Sequence, residues 1–165
     1  SDAGTLKRID YSLIKGGGIA NVDRWTMSNQ TYNSEVMDSG WSRVTTLNGL
    51  PHGTGLTESS GVFTFPTTGL YYISVMSYTY MPSSVKSYVG IEMQGSSDGF
   101  SSNSQGLGVS YGNIPTNGYH DNIHLHTIYE ITNTSNNKFR LAASQNSNPA
   151  GYYQTYVTFI RLADV

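Results

Sequence analysis

Residues 61–76 read GVFTFPTTGLYYISVM, two strand-like runs on either side of Pro66-Thr67-Thr68-Gly69. Pro cannot donate to a strand ladder and Gly can take a positive φ, so these four residues read as a turn. After it, Tyr71, Ile73 and Val75 alternate with Tyr72, Ser74 and Met76, the period of a pleated strand. Both sets carry large apolar or aromatic groups. An antiparallel strand with one wet face shows polar residues on one set, and this strand does not. A second surface must cover it, either another layer of the same chain or a neighbouring subunit.

The pattern spreads outward from there. Further strands are expected over Arg24 to Tyr32, Trp41 to Thr46, Val62 to Phe65, Leu70 to Tyr80 and Ser87 to Gln94. Gly106 to Tyr111, Asn122 to Ile131, Lys138 to Ser144 and Tyr153 to Leu162 complete the set. Polar loops separate them, among them Pro51 to Glu58 and Gln145 to Gly151, and no sustained helical period follows Ile19. In the last strand Tyr156, Thr158, Ile160 and Leu162 alternate with Val157, Phe159 and Arg161, so bulk again lies on both faces. Two such strands in one small antiparallel protein point to an oligomer interface, loops laid over the strands being the alternative.

The 165 residues make one domain, large enough to bury a substantial core. Charged residues are only 12% of the chain, while Gly numbers 18 and Tyr 13, a composition opposite to that of disordered chains. The formal net charge of −2 leaves no electrostatic footprint for nucleic acid or an anionic membrane. No apolar run approaches the ~20 residues that span a bilayer. Cysteine is absent, which removes thiol nucleophiles and thiolate metal sites. Residues 1–18 end in Gly16-Gly17-Gly18, which breaks any regular element; they read as a neck or N-terminal extension before a head at 19–165, or equally as a first strand of that head. The chain starts at Ser1 without an apolar leader and reads as a processed product or a fragment.

Phe63, Pro66, Gly69, Tyr71 and Ile73 fit the pattern F-x-x-P-x-x-G-x-Y-x-[FI]. In this the chain resembles the complement C-one-q globular head, a branch of the tumour necrosis factor superfamily. Ser59-Ser60-Gly61-Val62-Phe63 stands where that family has its S-x-G-x-F lead-in, and Thr155 to Leu162 is similar to its last strand. Two departures stand out: Thr158 replaces a small glycine of that strand, and Asn133-Thr134-Ser135-Asn136-Asn137 replaces a Gly-Asp turn. The resemblance covers roughly Asn21 to Val165. It implies an all-β, ten-stranded antiparallel jelly-roll sandwich, assembled as a homotrimer and acting by binding. The residues expected at the trimer interface are Tyr72, Met76, Tyr78, His124, His126 and Phe159.

His120, His124 and His126 are the sharpest polar constellation. On a strand His124 and His126 share a face, and around a three-fold axis they would form a ring of imidazoles. A metal would need a third ligand, with only Asp121 or Glu130 near in sequence, so polar packing in the interface is the preferred reading and no metal or cofactor is expected. No nucleophile elbow accompanies the plentiful Ser, and the acidic residues are scattered rather than paired, so an enzyme is not expected. Gly16-Gly17-Gly18 lacks the lysine and helix of a phosphate loop. Asn29-Gln30-Thr31 and Asn133-Thr134-Ser135 match the glycosylation pattern, a chance match in so Asn- and Thr-rich a chain.

Tyr111, Tyr119, Tyr152 and Tyr153 flank or lie in loops rich in Asn, a mixture that binds neutral polar ligands such as sugars and equally closes the ends of a sandwich. The expected role is a non-enzymatic recognition or structural head on a phage, other virion or bacterial surface fibre, facing a host-surface protein or glycan. The alternative is a secreted complement-like or cytokine-like ligand for a protein receptor.

Overall fold

In a computed structural model, which describes residues 19–28, 30–32, 36–46, 51–81, 86–115, 119–144 and 150–165, the alternation after Gly69 resolves into two faces. Tyr71, Ile73 and Val75 are buried, whereas Tyr72, Ser74 and Met76 point outward. The neck or first strand expected over residues 1–18, and Asn29 of the first glycosylation match, lie outside the described residues.

The strands in chain order are β1 (Asn21–Met27), β2 (Gln30–Tyr32), β3 (Trp41–Arg43), β4 (Thr57–Ser59) and β5 (Val62–Thr64). They continue with β6 (Gly69–Met81), β7 (Lys86–Ser96), β8 (Gln105–Ile114), β9 (Tyr119–Ile131), β10 (Lys138–Ser144) and β11 (Ala150–Ala163). They form two antiparallel sheets, a long one in the order β3-β1-β11-β6-β9 and a short one in the order β4-β5-β10-β7-β8. Ten strands therefore lie on two five-strand paths, the jelly-roll sandwich expected. The eleventh segment, β2, pairs with Ala150–Tyr152 of β11 where β1 leaves off. The single strand expected over Arg24–Tyr32 is thus two segments: β1 ends at Met27, and Ser28 N donates to Gly40 O at 3.1 Å in continuation of the β1–β3 register.

The strand missed in the sequence is β4, three polar residues inside the expected Pro51–Glu58 loop and its end. Its pairing is forced by the hairpin that follows. Ser59 stands opposite Val62, and the two residues between them, Ser60 and Gly61, have φ of 50° and 78°. Positive φ at both central positions is the type I′ turn whose twist suits a two-residue hairpin.

The turn after Phe65 explains the rest of the motif. Tyr71 is buried to its ring, and its hydroxyl donates back to Thr67 O at 3.0 Å, closing the turn that Pro66 opens. Gly69 has φ +144°, and a Cβ there would sit 2.5 Å from Ala163 O and 2.6 Å from Arg161 Nε. Gly69→Val is therefore expected to cost about 2–4 kcal/mol, backbone strain adding to the clash. An unchanged urea midpoint would show that the β6–β11 contact yields freely at this point.

Phe63 lies at the centre of the core. Its ring meets Trp25 and Trp41 edge-on, with centroids 5.5 Å and 5.2 Å away, and packs against Phe139 and Phe159 at 6.2 Å and 5.2 Å. Phe159 thus belongs to the core. It is fully buried within one chain, opposite Ile73 across the β11–β6 ladder, and this corrects the expectation that it lines a subunit interface. Val157 joins it inside, while Tyr156, Thr158 and Ile160 face outward. Towards the far end of β6 the inward positions become Ser77 and Thr79; Ser77 Oγ bonds Thr155 Oγ1 at 2.8 Å, so the core closes there on polar groups that satisfy one another. The Asn-rich turn that replaces Gly-Asp is held by Asn137, whose Oδ1 accepts from Thr132 N at 3.0 Å and Asn133 N at 2.8 Å.

No helix of the described residues is long and apolar enough to cross a membrane.

Candidate functional site

The outward face of the long sheet gathers most of the residues singled out in the sequence. The ladders set them in rows. Tyr156 of β11 stands beside Met76 of β6, which stands beside His124 of β9. The next row is Thr158, Ser74 and His126, and the one after it Ile160, Tyr72 and Ile128. On the β1 side Arg24 lies across from Thr158, its guanidinium 4.8 Å from the centre of the Tyr156 ring. Cross-strand neighbours at this spacing, about 5 Å, touch along each row.

The face mixes aromatic and apolar groups with hydroxyls and imidazoles, and none of these three rows holds an Asp, Glu, Lys or Arg. Tyr72 and Tyr78 are half-buried, Met76 is exposed, and Ile128 is 62% exposed, a large apolar residue left in contact with water by its own chain. Charge stands at the margins, with Arg24 on β1 and Glu130 towards the end of β9. That division, an uncharged centre within a polar rim, is what subunit interfaces show and what a solvent-facing sheet avoids.

The three histidines stand on the same face. His126 lies beside Tyr72, ring centroids 5.9 Å apart, and His120 stacks on Tyr78 at 4.8 Å with planes 12° apart. His124 and His126 do project to one side, as their spacing predicts, and both are exposed in the single chain. Among the described residues no three His, Asp or Glu side chains come together as a metal site within the chain. Asp121, the nearest acid, turns the other way: its Oδ2 accepts from Asn113 N at 2.7 Å and covers Gly112, where a Cβ would lie 2.6 Å from that oxygen. It stitches β8 to β9 and is no partner for the imidazoles.

Of the six residues expected at an interface, Tyr72, Met76, Tyr78, His124 and His126 therefore share one surface, and Phe159 does not. Ile128, Tyr156, Thr158 and Ile160 belong to that surface and escaped selection. The outward parity of Ile128 was readable, since it continues the His124–His126 series; the parity of β11 was not, because both its sets are bulky.

The tyrosines expected to bind ligand are less united. Tyr111, expected at the end of a strand, lies within the longer β8, and its ring meets Tyr88 of β7, an unforeseen partner. Tyr119, Tyr152 and Tyr153 fall in β9 and β11, but their side chains lie outside the described residues.

No family model and no curated protein sequence matches the chain. Solved structures do match. The Eiger tumour necrosis factor of S. frugiperda is 10% identical with a TM-score of 0.67, over 90% of this chain and 96% of that one. The globular domain of zebrafish complement 1qA protein is 8% identical with a TM-score of 0.58, over 86% of this chain and 96% of that one. The PRD1 vertex protein is 16% identical with a TM-score of 0.58, over 88% of this chain and 99% of that one. At such low identity the likeness is one of architecture: this chain has the jelly-roll fold of the tumour necrosis factor and complement C-one-q heads.

Proposed function

We propose that this chain is a non-enzymatic, trimeric recognition head, the tip of a phage, other virion or bacterial surface fibre that binds a host-surface protein or glycan. The observation that carries this reading is the outward face of the long sheet, uncharged in its three middle rows, where Met76 and Ile128 meet water unless another copy covers them. Three copies is the number implied by the resemblance of residues 59–76. Proteins of this fold include a tumour necrosis factor, a complement domain and a vertex protein, which supports an extracellular or virion setting. In this reading residues 19–165 are the head and residues 1–18 its neck. The likeness to the Eiger tumour necrosis factor favours a second reading, a secreted ligand for a protein receptor. Genes for virion structural proteins beside this one would favour the first reading, and collagen-like repeats upstream the second.

Light scattering on the purified chain should give three times its 18.0 kDa mass. Ile128→Asp, which places a carboxylate on the outward face beside Tyr72 without touching the core, should give folded single chains. A wild-type protein that runs as a monodisperse monomer would end the trimer reading.

A further inference from the structure

A second aromatic feature lies on the other sheet. On the outward side of β7 and β8, Tyr88 and Tyr111 meet edge to face, with centroids 5.3 Å apart and planes at 84°. Gly90 stands directly across the ladder from Tyr111, and the ring lies down on it. A Cβ at Gly90 would sit 2.5 Å from Tyr111 Cδ1 and 2.7 Å from Cε1. A strand glycine beneath a ring marks a close approach that any side chain would prevent. Tyr111 is nonetheless 53% exposed, so the side of the ring away from Gly90 stands open. The two rings form a right-angled corner beside an open cleft of about 420 Å³.

The chemistry of that corner is selective. Its walls are two phenol rings, each an electron-rich face ending in a hydroxyl, and among the described residues no ionised side chain lines the cleft. The nearest acid along β7 is Glu92, which faces Val109 across the ladder and accepts from Gln94 Nε2 at 3.1 Å. An anion or a purely apolar ligand would each leave something unmatched, and a cation, which the ring faces would attract, finds no carboxylate among the described lining to neutralise it. A pyranose does not: its axial C–H bonds present a faintly positive, apolar face to the ring, and its hydroxyls point outward to water and to the phenol oxygens.

We propose that Tyr88, Gly90 and Tyr111 form a binding site for a neutral pyranose unit of a surface glycan. The proposal rests on the reading of this chain as a recognition head, and the site lies on the short sheet, so covering the long-sheet face leaves it in water. One small sugar on so open a corner is held at about millimolar strength. Three copies in one assembly raise the strength towards a multivalent surface by roughly 10²–10⁴-fold without any new contact.

Saturation-transfer NMR on the intact protein with methyl glycosides of glucose, galactose, mannose and N-acetylglucosamine tests this. At least one should give saturable transfer, strongest at the protons of one ring face. Tyr111→Ala should weaken that ligand at least tenfold, while Tyr111→Phe, which keeps the ring, should stay within about threefold. Gly90→Val should abolish binding by displacing the ring, with light-scattering mass and melting temperature reported for each variant as controls on folding. Any of three results would overturn the site: no saturable binding by any of the four glycosides up to about 50 mM; binding that survives Tyr111→Ala; or capture at Tyr111 of a proline-rich peptide with no glycoside bound. Loss of the site with a trimeric mass intact would leave the assembly reading standing. A monomeric mass with a glycoside still bound at Tyr111 would do the reverse.

Discussion

Phe63→Ala is expected to lower the unfolding free energy by about 3–5 kcal/mol, the largest loss from a single core truncation in this chain. The ring is fully buried and touches aromatic rings from β1, β3, β10 and β11, so it ties the long sheet to the short one. Removing it deletes apolar burial and strips four aromatic contacts of their common partner, each contact being worth about 0.5–1.5 kcal/mol beyond area. Trp25, Trp41 and Phe159 are each fixed by their own strands and cannot collapse into the gap. Phe63→Leu, which keeps most of the volume, should cost about 1.5 kcal/mol or less. Urea unfolding at one fixed protein concentration reads both, since any association of copies would add to apparent stability. A loss under about 2 kcal/mol for the alanine variant would mean that the core relaxes around this position.

Asp23→Ala is expected to cost about as much, roughly 3–5 kcal/mol, for a different reason. The Asp23 side chain is completely buried, and one oxygen, Oδ2, holds three groups: Leu56 N at 2.7 Å, Trp25 Nε1 at 3.1 Å and the Arg43 guanidinium at 3.2 Å. Gly55 leaves room for this cluster, since a Cβ there would lie 2.6 Å from Oδ2. Without the carboxylate two buried N–H groups lose their acceptor at once. Arg43 has a way out, being 31% exposed in its side chain, and its guanidinium also lies 4.9 Å from the Trp25 ring centre. The two partners should therefore differ: Arg43→Met leaves the carboxylate with its two N–H donors and should cost about 1.5–3 kcal/mol. Equal losses for the two variants, measured by the same urea titration, would show that the charge pair rather than the N–H bonds holds the cluster.

Much of the fold was legible because it is written locally. The run from Ser59 to Ile73 contains a hairpin turn, a proline-opened turn, a glycine at positive φ and a tyrosine that bonds back four residues; each is set by residues close in sequence. The outward face of the long sheet was legible in part for the same reason, since alternation along β6 and β9 fixes which residues travel together. What alternation cannot fix is which set turns inward when both are bulky. Phe159 was placed outside for that reason, and only its register against Ile73 places it in the core. The Tyr88–Tyr111 corner was hidden for a related cause. The β7–β8 ladder slips between Lys86 and Val89 and again between Met93 and Gln94, so counting along either strand does not bring the two rings together. The buried Asp23 cluster depends on a loop partner, Leu56, thirty-three residues away, which no local pattern announces.

The position of β11 also sets an order of events during synthesis. It is the last of the described strands in chain order, yet it sits at the middle of the long sheet, with β1 on one side and β6 on the other. Asn21, the first residue of β1, finds its ladder partner only at Arg161. At ribosomal speeds of about 5–20 residues per second, roughly 5–20 s pass between the emergence of Gly69 and that of Ala163. Throughout that interval one edge of β6 lacks the strand it is built to pair with, and β1 waits for the same strand; closing so long a loop is slow in any case. The short sheet has all its strands sooner, so it is the half able to form first. The nascent chain is thus a half-built sandwich whose β6 edge stays open until β11 slots into place.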